Sequence, residues 1–236
     1  MSRFQGKNML IAGASSGIGH TLALQLQKEG ATLFTAGRRQ PEGIQSTHLV
    51  WDALRTGEND LSGLPDTLHG LVYAPGSIRL APFGKLTVEQ FREDFELNVL
   101  GAVALLKAAM PALIQSRSAG VVLFSTVAAK MGFGLHASVS VAKSAVEGLA
   151  KSLAAELAPY RIRVNAVAPS LTDTPLARNA GLLDDNRRAA ADKRHPLGRV
   201  GTPEDIAGMT AFLLSEEAGW ITGQVIGVDG GMSNLK

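Results

Sequence analysis

Three glycines near the start of the chain have the spacing of a phosphate-binding turn. Gly13, Gly17 and Gly19 lie between an apolar run and the start of a helical pattern. Glycine lets the backbone turn tightly and approach a pyrophosphate, and the amino end of the following helix offers N–H donors and a partial positive charge. A glycine run alone is weak evidence, but a strand before it and a helix after it favour a dinucleotide site over an ordinary turn.

Two arginines follow the second apolar run. Arg38 and Arg39 come directly after Gly37, where enzymes that prefer NAD carry an acidic residue for the ribose hydroxyls. No carboxylate stands there to repel a 2′-phosphate, and a guanidinium pairs with a phosphate in fork geometry. The pair therefore favours NADP(H) over NAD(H). The alternative is that both are solvated surface side chains.

Short apolar runs alternate with helical stretches along the chain. Runs that are apolar or β-branched throughout are typical of parallel strands covered on both faces, and the alternation indicates right-handed crossovers. We predict an α/β fold: a single Rossmann-type doubly wound domain over residues 1–236, with a parallel sheet of about seven strands and helices on both faces. The predicted strands are 8–13, 31–37, 48–52, 70–76, 120–126, 162–169 and 224–231.

Three further local patterns bear on the elements between the strands. Helical periods cover 18–30 and 140–159, and Ser138 and Ser140 are candidates to cap the second helix. The stretch 54–70 is rich in Gly, Asn, Asp and Pro, which predicts a shortened or broken element.

Composition and charge exclude several classes of function. A chain of 236 residues with 45% hydrophobic and 19% charged residues supplies a sizeable core, and a net charge of +2 is too weak to indicate nucleic acid or an anionic membrane as a partner. Without cysteine there is no disulfide, thiolate nucleophile or cysteine-ligated metal, and we predict no metal site. The start of the chain is a short polar lead into a strand, and no stretch approaches the roughly 20 apolar residues of a membrane span. We expect a cytoplasmic protein.

Five motifs, spread over nearly the whole chain, resemble those of the short-chain dehydrogenase/reductase family. They are AGASSGIG at 12–19, LNVLG at 97–101, VAKSAVEGLAKSLAAELAP at 141–159, RIRVNAVAPS at 161–170 and ITGQVIGVDGG at 221–231. The chain is similar in particular to 3-oxoacyl-ACP reductases and to enoyl- and dienoyl-thioester reductases. The resemblance implies an oxidoreductase that uses NADP(H) and transfers hydride to a carbonyl or enoyl substrate.

The resemblance also implies which residues hold the cofactor. Asp52 bonds the adenine amino group, Gly76 allows close approach to the ribose, Thr172 offers a backbone contact to the carboxamide, and Thr174 offers a hydroxyl to the phosphate. The turn that lies over the nicotinamide has Ser170 in place of the family's glycine. The full predicted set is Gly13, Ser15, Ser16, Gly17, Ile18, Gly19, Arg38, Arg39, Asp52, Ala53, Ala74, Gly76, Lys143, Pro169, Ser170, Thr172 and Thr174.

By the same resemblance, four positions carry the chemistry. Asn98 holds a water through its backbone and keeps a proton relay open. Lys143 bonds the nicotinamide ribose and lowers the pKa of a tyrosine by its charge. Thr126 keeps the hydroxyl that polarises the substrate carbonyl. Val139 stands where the family has the tyrosine that gives or takes the substrate proton, and valine has no ionisable proton.

His136 is the predicted replacement for the missing proton donor. It lies seven residues before Lys143, two turns away on the same face if the helix reaches that far. Enoyl-thioester reductases of the divergent branch carry a tyrosine at that spacing, and an imidazole with a pKa near neutrality could stabilise an enolate in the same way. The alternative is a loop histidine on the rim of the pocket.

Three functions remain open. The first is an NADPH-dependent reductase that has moved its acid group and acts on an enoyl or oxoacyl thioester. The second is a carbonyl reductase that works through water or Thr126. The third is a cofactor-binding protein with little or no turnover. Loss of a general acid costs ~10²–10⁴ in rate, which cripples but need not abolish hydride transfer.

Residues 176–200 are expected to form the family's substrate lid. Its basic side chains could meet an acidic thioester carrier, or they could form a solvated helical face. These are Arg178, Arg187, Arg188, Lys193 and Arg194. The resemblance further implies a homotetramer or homodimer, in which helices around 101–117 and 139–158 pair across a two-fold axis. We expect a small-molecule or acyl-thioester substrate and neither a nucleic acid nor a membrane as a partner.

Overall fold

The computed structural model describes residues 2–55 and 61–235, and these contain one sheet of seven parallel strands. The strands are β1 (Asn8–Ala12), β2 (Thr32–Gly37), β3 (Ser46–Val50), β4 (Gly70–Tyr73), β5 (Ala119–Phe124), β6 (Ile162–Pro169) and β7 (Val225–Val228). Their order is β3-β2-β1-β4-β5-β6-β7, so the direction of winding reverses between β1 and β4. This confirms the predicted doubly wound α/β fold.

Helices cover both faces of this sheet. They are α1 (Gly17–Lys28), α2 (Val88–Phe95), α3 (Gly101–Gln115), α4 (Ala137–Leu157), α5 (Pro175–Asn179), α6 (Asp185–Arg194) and α7 (Pro203–Leu214). On one face, α1 and α7 bury side chains such as Leu22 and Ile206 against the strands. On the other, α3 and α4 bury Leu105 and Val146 in a second core cluster. Because both faces are covered, all six residues of β5 are buried.

Helices α2 and α3 belong to one helical segment, Val88–Gln115, joined by a π-helical turn at Glu96–Leu100. By length and composition this segment is apolar enough to cross a membrane, and it is the one such helix in the described part of the chain. The expectation that no stretch approaches this size was therefore wrong. However, 44% of its most apolar window is buried inside the domain, and a core helix meets the same criterion. It is weak evidence for a membrane span.

Some boundaries differ from those predicted because tertiary contacts decide them. Helix α4 begins three residues earlier than predicted, and neither serine that was a candidate to cap it does so. The Ser138 hydroxyl donates to the Asp94 carboxylate at 2.6 Å, and the Ser140 hydroxyl donates to the Ala128 carbonyl at 3.0 Å. His136 takes the capping position without a side-chain hydrogen bond to the helix.

Strand β3 also begins earlier than predicted, whereas the segment after it agrees with the prediction wherever it is described. The strand lies two residues before the predicted 48–52, in register with β2. In the predicted short element at 54–70, residues 54–55 and 61–69 contain no helix, as expected, and residues 56–60 lie outside the described residues.

Gly101, at the start of α3, leaves no room for a side chain. A Cβ there would overlap with the Tyr73 hydroxyl, which donates to the Leu97 carbonyl, and would lie 3.0 Å from the Ala53 Cβ. We expect Gly101→Ala to lower the free energy of unfolding, measured by urea denaturation, by ~1–3 kcal/mol because of overpacking. The matched control is Gly208→Ala in α7, where an added Cβ meets nothing within 4 Å. It should gain up to ~1 kcal/mol from helix propensity, and equal stabilities of the two variants would contradict the analysis.

Candidate dinucleotide and substrate site

A cavity of about 630 Å³ opens at the carboxyl ends of the strands, next to the point where the winding reverses. Ligands of open α/β sheets bind in this crevice. Every site residue predicted from the sequence lines it, except Asn98, which is buried behind the wall. The glycine turn, the end of β2, the start of α4 and the turn after β6 meet here although they are far apart in the sequence.

The glycine turn is shaped for close approach by a ligand. Gly13 has φ +81°, a left-handed conformation that favours glycine, and a Cβ on Gly19 would overlap with the Gly13 carbonyl oxygen. Ser16 takes the N-cap position of α1, but its hydroxyl makes no capping bond. A Cβ on Gly17 would lie 3.4 Å from the Thr174 Cβ, so Thr174 lies beside the turn. These features fit a pyrophosphate at the amino end of α1.

The end of β2 presents positive charge to the same cavity. Arg38 and Arg39 are exposed, line the cavity and have no ion pair among the described residues. Asp52, after β3, accepts a hydrogen bond from the Leu54 amide at 3.0 Å, which fits its alternative role in a turn. Ala53 lines the wall beside it.

Lys143 carries its amine into a buried environment. The residue is 8% exposed, and Nζ donates to the Phe124 carbonyl at 2.9 Å. Burial lowers the pKa of Lys143 from 10.5 to about 8, and the negative charge of Asp94 opposes this shift. A Cβ on Gly76 would lie 3.4 Å from Nζ, so glycine at this position keeps the path from the cavity to the amine open.

Asn98 lies behind Lys143 in a buried polar group that the sequence analysis missed. Its amide nitrogen donates to the Asp94 carbonyl at 2.7 Å and to the Ser77 hydroxyl at 3.4 Å. Its Oδ1 is buried without a hydrogen-bond partner among the described residues, and a Cβ on Gly76 would lie 3.3 Å from it. A buried acceptor of this kind calls for a donor, which suits a site that takes up a water or a ligand.

Asp94 is the centre of that group. The residue is 1% exposed, and its carboxylate accepts from the Ser77 hydroxyl at 2.7 Å and from the Ser138 hydroxyl at 2.6 Å. The Nε of Arg79 lies 3.5 Å from the same carboxylate. The signal available in the sequence was the spacing of Asp94 and Asn98, which puts both on one face of a helix.

Val139, which stands where the resemblance implies a tyrosine, is 7% exposed and lines the cavity. Neither tyrosine of the chain lines the cavity. Tyr73 is buried with its hydroxyl bound to a backbone carbonyl, and burial, with a contribution from the Asp52 charge, raises its pKa. Tyr160 is exposed at the far end of α4 and does not line the cavity. The Thr126 hydroxyl does line it, 3.5 Å from the Pro169 carbonyl.

His136 lies at the mouth of the cavity, half-buried, with its ring 5.6 Å from that of Phe133. Its Nδ1 is 2.7 Å from the Gly134 carbonyl. Helix α4 begins one residue after it, so the helix does not extend to His136 as the spacing argument required. His136 therefore lines the cavity from the N-cap position of α4 and not from the side of that helix.

The end of α6 brings a second histidine to the cavity. His195, the residue after α6, is 3% exposed. Its Nε2 is 2.9 Å from the Ser170 hydroxyl, and its Nδ1 is 2.7 Å from the Ala191 carbonyl. Sequence analysis found Ser170 but not His195, because the 25 residues between them gave no local signal.

A second cavity, of about 490 Å³, lies at the opposite edge of the sheet and holds none of the predicted site residues. Its charges are largely paired: Lys7 bonds Glu216 at 2.8 Å, and Arg163 bonds the Leu213 carbonyl at 2.6 Å. We assign the chemistry to the larger cavity. Among residues 2–55 and 61–235, no cluster of His, Cys, Asp or Glu is arranged to hold a metal ion.

A family model described as enoyl-(acyl carrier protein) reductase matches residues 58–233. The 3-oxoacyl-acyl-carrier-protein reductase FabG of Escherichia coli is 33% identical over 97% of this chain and 98% of its own length. A tropinone reductase homologue of Arabidopsis thaliana is 33% identical over 97% of this chain and 92% of its own length.

Two solved structures are also similar to this chain over nearly its whole length. The aldohexose dehydrogenase of Thermoplasma acidophilum superposes with a TM-score of 0.92 at 30% identity, covering 100% of this chain and 97% of the other. A protein of Beutenbergia cavernae, assigned as an NAD(P)-dependent gluconate 5-dehydrogenase and solved with bound NADP at low occupancy, superposes with a TM-score of 0.87 at 30% identity over 97% of each chain. The chain belongs to the short-chain dehydrogenase/reductase family of oxidoreductases.

Proposed function

We propose that the protein is an NADPH-dependent reductase that transfers hydride to a carbonyl or enoyl substrate through a site without the usual tyrosine. The observation that carries this proposal is the shared cavity. It joins the phosphate turn, the Lys143 amine and the Thr126 hydroxyl at one edge of the sheet. A protein that only bound the dinucleotide could use the Lys143 amine for the nicotinamide ribose, but it would have no use for the Thr126 hydroxyl at the reacting end.

The residues present fit distinct parts of the cofactor and the reaction. Bound NADPH supplies the hydride. Arg38 and Arg39 would pair with the 2′-phosphate, and Gly13 and Ser16 would face the pyrophosphate. Lys143 would leave the Phe124 carbonyl and bond the nicotinamide ribose. The Thr126 hydroxyl would donate to the substrate oxygen as negative charge develops there.

An acyl thioester is the proposed substrate class. Support comes from the description of the matched family model and from the relative FabG, which acts on an acyl-carrier-protein thioester by its name. The basic lid gives less support than its sequence suggested. Arg178 and Arg188 both pair with Asp173, and Arg187 pairs with Asp184, so three of its five basic side chains have acidic partners within the chain.

The proton donor is the altered part of the site. We keep His136, the donor predicted from the sequence, as one proposal, since its ring lines the cavity. The second candidate function is a cofactor-binding protein with little turnover, and Val139 is the observation that favours it. NADPH oxidation measured against a panel of oxoacyl and enoyl thioesters decides between the two functions.

We further propose a homodimer or homotetramer in the cytoplasm, with residues 176–200 as the lid.

Arg38 gives a direct test of cofactor choice. Because the guanidinium pairs only with the 2′-phosphate, we expect Arg38→Ala to weaken NADPH binding about tenfold and to leave NADH binding nearly unchanged. Isothermal titration with both cofactors measures this. Arg92→Ala, which removes an exposed guanidinium that pairs with Glu89, is the control. Equal affinity of the unsubstituted protein for NADPH and NADH would refute the proposed preference.

Val139 gives a test of the missing acid. Val139→Tyr would place a phenol one helical turn from Lys143, whose charge favours proton release. We expect ketone reduction to rise ~10²-fold or more. Val139→Phe adds the same ring without the hydroxyl and should give no increase. The prediction is contradicted if the unsubstituted protein already reduces ketones quickly and neither variant changes that rate. Another group would then already act as a fully effective acid.

A further inference from the structure

Ser170 and His195 form a hydroxyl–imidazole pair inside the cavity. Both residues line it, and their side chains lie 2.9 Å apart. Ser170 stands in the turn where the family has glycine, so this chain adds a hydroxyl at the end of the cavity where the nicotinamide would lie. His195 is buried, so its ring has few partners other than this hydroxyl and the protein backbone.

The hydrogen bonds of His195 fix which nitrogen carries the proton. The Ala191 carbonyl, 2.7 Å from Nδ1, can only accept, so Nδ1 is protonated. In the neutral ring Nε2 is then an acceptor, and the Ser170 hydroxyl donates to it. In the charged ring Nε2 donates to the hydroxyl oxygen instead. Both states keep the pair bonded, which is the property that a proton relay needs.

Two elements bring the charged groups near the His195 ring. Helix α6 ends at Arg194, which lines the cavity. On the same helix the Asp192 carboxylate is engaged by the Val200 amide at 2.8 Å. The turn after β7 contributes Asp229. Burial raises the pKa of Asp229, but hydrogen bonds from Ser233 and Gly231 and the charge of His195 lower it overall. Asp229 is therefore a carboxylate whose charge interacts with the His195 ring.

The backbone beside Ser170 lies next to the group that would hold the substrate oxygen. The Thr126 hydroxyl is 3.5 Å from the carbonyl of Pro169, the residue before Ser170. Val139, which leaves the family's acid position empty, lines the same cavity. We propose that Ser170 and His195 deliver the substrate proton in this protein, with Ser170 as the group that contacts the substrate and His195 as its proton source.

The proposed step balances as follows. Hydride from the reduced nicotinamide forms the new C–H bond. The electron pair released on the substrate takes the Ser170 hydroxyl proton, and Ser170 Oγ takes the Nε2 proton of the His195 imidazolium. Neutral imidazole remains, and it is protonated again from solvent. This inference rests on the proposed reductase function and moves the donor from His136 to the buried pair, because the His195 ring is bonded to a hydroxyl whereas the Nδ1 of His136 lies 2.7 Å from a backbone carbonyl.

The first test needs no cofactor or turnover. In ¹⁵N-labelled protein, imidazole NMR of the neutral His195 ring should show a proton on Nδ1 and none on Nε2. Ser170→Ala should shift the Nε2 resonance, and His20→Gln, far from the pair, should leave it in place. The assignment would be overturned by a proton on Nε2 of the neutral ring, or by an Nε2 resonance that Ser170→Ala does not shift.

The second test is kinetic. We expect His195→Gln and Ser170→Ala each to lower turnover ~10²-fold with an unchanged NADPH dissociation constant. Val139→Tyr in the His195→Gln background should restore turnover, which a merely misfolded variant would not allow. The proposal would be overturned if neither variant affected turnover. It would also be overturned if turnover were lost in His136→Gln and retained in His195→Gln. Absence of NADPH binding or of turnover in the unsubstituted protein would instead refute the proposed function, while the NMR result would still stand.

Discussion

The buried amine of Lys143 is the constraint on which the site depends. An ammonium group taken out of water is costly unless acceptors and opposite charge surround it, and here one carbonyl and the field of Asp94 supply both. To bring them together, the end of β5, the first turns of α4 and the segment before α3 must meet. The sheet provides that meeting point because parallel strands all end at one edge. Much of the architecture on this face of the sheet thus serves to hold one charge.

The site divides into a half that binds the cofactor and a half that handles the proton. The first half has the expected groups: the glycine turn, two exposed arginines and the lysine. In the second half, the Val139 and Thr126 side chains line the cavity. Ser138 turns away from the cavity to Asp94, whereas Ser170 turns toward His195. In the proposed mechanism, these side chains affect the path of the proton and not the source of the hydride.

The fold could be predicted from the sequence because its signals are local. Apolar runs gave the strands within a few residues, and the glycine turn has its strand before it and its helix after it. The polar partners could not be predicted in the same way. Asp94 and Ser138 are 44 residues apart, and neither carries a motif. The start of α4 was misplaced for a related reason: its serines have tertiary partners, and local propensity treats them as caps.

The π turn at Glu96–Leu100 has a consequence for how the chain can change length. Such a turn contains one residue more than an α-helix of equal rise. In a regular α-helix, one added residue would turn everything beyond it by about 100°. The wider π turn takes up the extra residue instead, so α2 keeps its orientation relative to α3 and Asp94 keeps its hydrogen bond with Ser138. A change in length of one residue can therefore be accommodated inside this helix, and not only in a surface loop.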